Sequence, residues 1–346
     1  MVRREDPVSF ESKRAASGRS PGDRPSLSVV VPAFNEEPNV EAFHADVEGV
    51  LDGLGLPWEL IFVDDGSRDG TWERVRSLAD RDPRVRGTRL SRDFGHQYAL
   101  LAGLARARGD VVVSMDADLQ HPPRVIPRLL EEWRKGSQIV HTVRRDAGNE
   151  PAFKRWTSRL FYRLFSFLSG TRLEPGMADF RLLDRKALDS LLSFEEEGLF
   201  LRGLVHWVGF SSAKVEFECQ PRFAGRTSYT LAKMLRLGWT GVTSFSLIPL
   251  RLCILLGFLT SAFAFEQLAE AVYRKVVLGG TVPGWTQTMV VMSFLFGMLF
   301  VLLGIIGEYI GRVLVEVRRR PRYVVSEEIG VGEARPGAAP GRQAAR

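Results

Sequence analysis

The sequence predicts an α/β domain built on a mostly parallel sheet, followed by a hairpin of two apolar helices. Three observations carry that reading. Between residues 27 and 143, short β-branched runs alternate with segments of helical spacing, the pattern of βαβ units. Acidic residues follow directly on three of those runs, at the strand ends where open α/β sheets hold ligands. From Val276 to Gly307 no residue is charged, a stretch long enough to span a bilayer, which takes ~20 residues.

The elements follow in order. Leu27–Val31 is the first expected strand, and Val31-Pro32-Ala33-Phe34-Asn35-Glu36-Glu37 closes it; a helix is expected over Asn39–Leu54. Glu59–Val63 is the second strand, ending in Asp64-Asp65-Gly66-Ser67. Asp69 stands where a helix start favours it, ahead of Thr71–Ala79. Val85–Leu90 leads into a helix over His96–Ala107. Val111–Met115, bounded by Gly109-Asp110, reads as a buried strand of a parallel sheet. Asp116-Ala117-Asp118-Leu119-Gln120 comes directly after it. Pro123 then opens a helix over Arg124–Lys135, and Ile139–Val143 is the last strand expected.

Residues 153–168 differ in kind. Phe153, Trp156, Leu160, Phe161, Leu164, Phe167 and Leu168 fall on one helical face, with Lys154, Arg155, Arg159 and Arg163 on the other. Such a helix suits a membrane interface, its arginines meeting anionic headgroups. Two spans are expected, at about 247–269 and 288–310, joined by a short loop through Val282-Pro283-Gly284-Trp285. Lys233 and Arg236 precede the first and Arg251 lies near its start; Arg312, Arg318, Arg319, Arg320 and Arg322 follow the second. The positive-inside rule then places the domain at 25–240 and both termini in the cytoplasm of a multi-pass inner or plasma membrane protein. Residues 1–24 are polar and without apolar periodicity, an expected disordered arm; 316–346 is expected to be a basic, largely disordered tail.

Composition narrows the class further. Hydrophobic residues make up 45% and charged residues 25% of the 346, ordinary for a folded chain. Cys219 and Cys253 lack metal-ligand spacing and form no framework, which fits a reducing compartment. No Gly-x-Gly-x-x-Gly follows the first strand, which argues against a dehydrogenase. The net charge of +6 is modest, and no nucleic-acid partner is expected.

The chemistry is concentrated in the strand-end loops. Carboxylate and amide oxygens are hard ligands suited to Mg²⁺ or Mn²⁺, and Mg²⁺ completes its shell with substrate phosphate oxygens. Asp116, Asp118 and Gln120 are therefore candidate holders of a metal–diphosphate, and the loops at 31–37 and 63–67 open at the same sheet edge. As a set these segments resemble the motif series of family 2 inverting glycosyltransferases of GT-A fold. Leu90-Ser91-Arg92-Asp93-Phe94-Gly95-His96-Gln97, Asp179-Phe180-Arg181-Leu182-Leu183-Asp184-Arg185, Phe200-Leu201-Arg202-Gly203 and Phe223-Ala224-Gly225 resemble the polyprenyl-phosphate subgroup, which includes dolichol-phosphate mannose synthase and the bacterial GtrB-like enzymes. The resemblance covers about residues 25–322.

The resemblance implies a role for each matching position. Pro32, Phe34, Glu36, Asp65 and Asp116 would line the nucleotide-sugar pocket. Asp116, Asp118 and Gln120 would hold Mg²⁺ or Mn²⁺, with Asp118 the firmest ligand. Asp179 matches the acidic residue assigned as catalytic base, and Arg181 and Arg222 match basic residues near the acceptor phosphate. The reaction implied is sugar transfer from a nucleotide-sugar to undecaprenyl or another polyprenyl phosphate. A UDP-hexose such as UDP-glucose is the favoured donor and GDP-mannose the alternative; the protein would sit in a lipid bilayer as a homo-oligomer. The chain departs from the family pattern at His121, where Asp is usual, at Asp93, where Asn is usual, and at Gly225-Arg226-Thr227-Ser228. Two other readings compete: a processive polysaccharide synthase, which normally carries Gln-x-x-Arg-Trp where Ala152 stands before Arg155-Trp156, and a non-catalytic membrane scaffold.

Overall fold

The computed structural model describes residues 26–145, 177–194, 196, 201–218, 248–277 and 284–330. The arm at 1–24, the helix expected at 153–168 and Arg222 lie outside these residues. Strands β1 (Leu27–Ala33), β2 (Trp58–Asp64), β3 (Val85–Leu90) and β4 (Val111–Ser114) alternate with helices α1 (Glu37–Leu51), α2 (Thr71–Arg81) and α3 (His96–Leu104). After β4 come α4 (Ile126–Arg134), β5 (Ile139–Arg145), β6 (Met177–Asp184), α5 (Arg185–Leu192), α6 (Leu201–Trp207) and β7 (Ser212–Glu218). The last elements are α7 (Ile248–Val276), α8 (Trp285–Arg318) and β8 (Val325–Ile329).

One eight-stranded sheet runs in the order β7-β5-β6-β4-β1-β2-β3-β8. Strands β1 to β4 are mutually parallel, β6 is antiparallel to both β4 and β5, β7 is parallel to β5, and β8 is antiparallel to β3. Every residue of β1 and β4 is buried, as expected of central parallel strands covered on both faces. The core includes Phe43 and Val47 of α1, Trp72 and Val75 of α2, and Ile126 and Leu129 of α4. α3 lies so close to the sheet that a Cβ on Gly103 would stand 2.4 Å from Val30 Cγ1.

The reversal of β6 matters most for the site. Its register pairs Ser114 with Arg181, so the early residues of β6 run alongside the chain leaving β4. Asp179 therefore shares an edge with the carboxyl ends of β1, β2 and β4, although it comes from a strand pointing the other way.

The five expected strands and four expected helices all form, with ends shifted by a few residues. Three strands went unforeseen. β6 carries buried Asp179 and Arg181, which break the apolar alternation that marks a strand. β7 is mostly exposed. β8 corrects the expectation of a largely disordered tail over 316–346: residues 325–329 pair with β3, because a sheet edge satisfies backbone groups that a polar sequence leaves unassigned.

α7 and α8 form a second unit, separate from the sheet unit to which β8 belongs. Two windows, Leu250–Gln267 and Phe294–Arg318, are long and apolar enough to cross a membrane. Ile254, Phe258, Phe265 and Phe300 are exposed, and almost none of either window is buried. A core helix of a water-soluble domain would instead hide that surface.

Gly66 supplies the sharpest backbone constraint. Its φ of +72° is left-handed, and a Cβ there would meet the Arg92 carbonyl carbon at 2.5 Å. Only glycine lets the turn after β2 touch the loop after β3. Gly66→Ala is expected to lower stability by about 2 kcal/mol or more, the left-handed cost plus a backbone clash. Thermal unfolding in detergent checks this; an unshifted transition would contradict it.

Candidate active site

Hydrogen bonds stitch the first two strand-end loops together. Asn35 has a left-handed φ of 55°, a region Asn tolerates better than most residues. Its backbone N–H donates to Ser67 Oγ at 2.9 Å, and its side-chain oxygen accepts the Arg68 N–H at 2.9 Å. The Glu36 N–H donates to Thr71 Oγ1, and its carboxylate accepts from Asn39 Nδ2. Phe34 is exposed beside this junction, whereas Pro32 is buried within β1.

Asp65 lies beneath the loop that follows β3. Its two carboxylate oxygens accept the N–H groups of Phe94 and Gly95, at 2.8 and 2.9 Å. Burial, with Asp93 adding like charge, pushes its pKa up to about 6 against the two hydrogen bonds.

The third loop carries the candidate metal ligands. Leu119 is held at φ 60° between Asp118 and Gln120, a strained conformation that costs of order 1 kcal/mol and clusters at functional sites. Asp118 Oδ1 accepts the Gln120 N–H at 3.1 Å. His121 packs behind the loop, stacked on Phe180 at 5.2 Å and edge-on to Phe217, and its Nδ1 accepts the Asp116 N–H at 3.2 Å. Asp116 Oδ1 is buried and has no hydrogen-bond partner among the described residues. His96 Nε2 stands 3.5 Å from this oxygen, too far for a good hydrogen bond; a buried carboxylate oxygen without one, on the same loop as Asp118 and Gln120, suits a hard divalent cation.

Asp179 is the most heavily bonded side chain of the site. Oδ1 accepts from Arg181 Nη2 at 2.5 Å and Arg202 Nε at 3.0 Å; Oδ2 accepts from Arg202 Nη2 at 2.7 Å and Gln97 Nε2 at 3.3 Å. His96 Nε2 stands 3.5 Å from both Asp179 and Asp116. Desolvation would raise the Asp179 pKa, but Arg202, His96 and Arg181 together hold it well below the usual carboxylate range. Desolvation likewise pulls His96 down, and the Asp179 and Asp116 carboxylates outweigh it and lift its pKa.

The structure thus brings Asp116, Asp179 and Arg181 into one connected cluster, with Asp118 and Gln120 on the adjoining turn. Asp65 stabilises the neighbouring loop. Arg181 is buried, whereas Arg202 is partly exposed. Sequence reasoning did not single out Arg202, His96, Gln97 or His121 as site residues. The first three fall in segments that carried the family resemblance, which was the available signal.

A second cluster, His44, Glu48 and Asp82, has donor atoms close enough for a cation. Arg84 already fills it, pairing with Glu48, Asp82 and Asp52 and lying 4.0 Å over the Trp58 ring. Chiefly through the Arg84 hydrogen bond, the Asp82 pKa falls to about 2. This is a structural ion-pair network.

A mostly parallel sheet with acidic strand-end loops and one reversed strand closing the site is the GT-A glycosyltransferase architecture. The family model described as glycosyl transferase family 2 matches residues 28–192. The uncharacterized glycosyltransferase YkcC of Bacillus subtilis is 40% identical over 308 residues, covering 89% of this chain and 95% of that protein. The prophage bactoprenol glucosyl transferase homolog of Escherichia coli is 36% identical, covering 86% and 98%. The bactoprenol glucosyl transferase of Shigella phage SfII is also 36% identical, covering 87% and 97%. Among solved structures, glucosyl-3-phosphoglycerate synthase from Mycobacterium tuberculosis, with Mn²⁺, uridine diphosphate and glucosyl-3-phosphoglycerate, aligns at a TM-score of 0.45 and 21% identity, covering 70% of this chain and 84% of that one. The chain belongs to glycosyltransferase family 2.

The Asp65 environment has a pH signature. A folded pKa raised from 3.8 to about 6 gives stability that is fully present below the unfolded value and lost as pH rises through about 6. Asp65→Asn cannot ionise. Its melting temperature, relative to wild type, is expected to climb between about pH 4 and about pH 7. A constant difference across that range would contradict the assignment.

Proposed function

We propose that this protein is an inverting glycosyltransferase moving a hexose from a nucleotide-sugar to a polyprenyl phosphate at the cytoplasmic face of a membrane. UDP-glucose or a similar UDP-hexose is the favoured donor. The observation that carries the reading is the juxtaposition of an oxygen-rich loop, Asp116 to Gln120, with Asp179 clamped between two arginines. The bactoprenol glucosyl transferases among the relatives support the lipid-phosphate acceptor, and the two apolar helices support a membrane location.

Asp116, Asp118 and Gln120 would hold Mg²⁺ or Mn²⁺. The metal, when bound, neutralises charge on the departing diphosphate. Phe34, Glu36 and the stitched loops at 35 and 67 shape the nucleotide pocket, and Asp65 keeps the 93–95 backbone in place beside it. Arg202 is the partly exposed arginine of the cluster, so it meets the acceptor phosphate together with Arg222. Arg181, being buried, works through Asp179.

An acceptor phosphate monoester has a second pKa near ~6 and is mostly dianionic at neutral pH. It attacks the anomeric carbon with an oxygen that already carries charge. Asp179 then has no proton to remove. It orients Arg202 and keeps the site electrostatically fixed as the diphosphate departs.

The test is transfer to polyprenyl phosphate in detergent or nanodiscs across a panel of nucleotide-sugars. Lipid-linked hexose should form from one donor class and require a divalent cation. Asp118→Ala is expected to reduce transfer by about 10²-fold or more, the scale for losing one charge-stabilising group, with an unchanged melting transition. Wild-type turnover by that variant in excess Mg²⁺ would refute the metal assignment.

A further inference from the structure

We propose that Glu327, on the strand that returns to the sheet after the second apolar helix, is a positioning residue for the transfer site. The proposal rests on the transferase reading above. β8 pairs with β3 from Gly87↔Ile329 to Arg89↔Glu327, and the register then shifts at Arg89/Leu90. The extra residue at this shift, Ser326, is on β8, so the tail bends to follow the end of β3. The segment that continues from that end is 91–97, which supplies the Phe94 and Gly95 N–H groups to Asp65, and His96 and Gln97 to Asp179.

The tail holds this segment by its start. The Ser91 N–H donates to the Val324 carbonyl at 2.9 Å, and Ser326 Oγ donates to the Arg89 carbonyl at 3.1 Å. On β8, Val325, Glu327 and Ile329 alternate with Ser326 and Glu328, and the Glu327 side chain, although 40% exposed, turns toward α2. Glu327 accepts from Trp72 Nε1 at 2.9 Å and pairs with Arg76. Trp72 is fully buried. Arg89 lies 5.9 Å from its ring and pairs with Asp64 at 3.2 Å, and Asp64 accepts the Ser67 N–H. Ser67 in turn holds Asn35. One continuous chain of contacts therefore runs from Glu327 to both donor-side loops. Glu328 adds a second anchor through Arg106, just past the end of the helix that begins with His96 and Gln97.

The bland alternative is that these glutamates only discourage edge-to-edge pairing of the sheet. Full-length Glu327→Ala and Glu327→Gln, in nanodiscs, decide between them. Positioning predicts that Ala lowers kcat about tenfold with the nucleotide-sugar KM changed less than about twofold. Gln, which still accepts the Trp72 N–H, recovers most of the rate. Amide exchange at Ser91, Phe94 and Gly95 accelerates in the Ala variant while the melting transition holds. Unaltered kcat and exchange in Glu327→Ala would overturn the proposal, as would a rate loss matching only the loss of folded protein. Should Glu327→Ala fail to fold, Glu327→Met, which keeps the side chain's length and removes the carboxylate, carries the same expectations and is judged by the same outcomes. Absence of transfer by the wild-type chain would defeat the transferase reading instead, and the exchange data would still decide the coupling.

Discussion

A carboxylate taken out of water costs several kcal/mol unless its lone pairs are filled by well-placed donors. Asp179 meets that demand with Arg181, Arg202 and Gln97 on its two oxygens and His96 close by. Three elements converge to supply these groups: Asp179 and Arg181 from β6, Arg202 from α6, and His96 and Gln97 from the start of α3. The sheet topology exists at this point to serve them. Only a strand antiparallel to β4 brings its early residues to the edge where the parallel strands end. The same bonds limit what Asp179 does. An ionised carboxylate offers about four acceptor positions, and four donors already take them. Its pKa lies far below neutrality, so it makes a poor general base and a good fixed anion.

Asp65 is the contrasting case, a carboxylate also shielded from solvent but without arginines beside it. Its partners are backbone N–H groups and another carboxyl, Asp93, and burial wins: the pKa rises to about 6. The contrast follows from the sign and distance of neighbouring charge. It also separates what the two carboxylates hold: Asp65 the backbone of the 93–95 loop, Asp179 two arginines.

Much of this was legible in the sequence. The five strands with strong β-branched runs, the helices between them and the two apolar spans follow from periodicity and length. Asp116 and Asp118 stood out by their place at the end of a buried strand, and Asp179 through motif resemblance. The rest depended on tertiary context. β6 could not be read as a strand because Asp179 and Arg181 interrupt its apolar pattern, and those interruptions are the site itself. β8 has two glutamates in five residues and becomes ordered through an edge it does not encode. The link between Arg202 and Asp179 joins residues 23 apart in sequence through the packing of α6, which no local pattern reports. His121 departs from the family pattern, yet its position is explained: it packs on Phe180 and holds the Asp116 backbone.

The central claim is that Asp179 positions cations and the acceptor phosphate brings its own charge. Single-turnover transfer measured against pH, with the natural phosphate acceptor and with a phosphonate analogue of higher second pKa, tests it most directly. The acid limb of the rate should sit near ~6 for the phosphate, its second ionisation, and move upward with the analogue's pKa. A limb at one fixed pH for both acceptors would show that a protein group, not the acceptor, controls the proton, and would contradict the account.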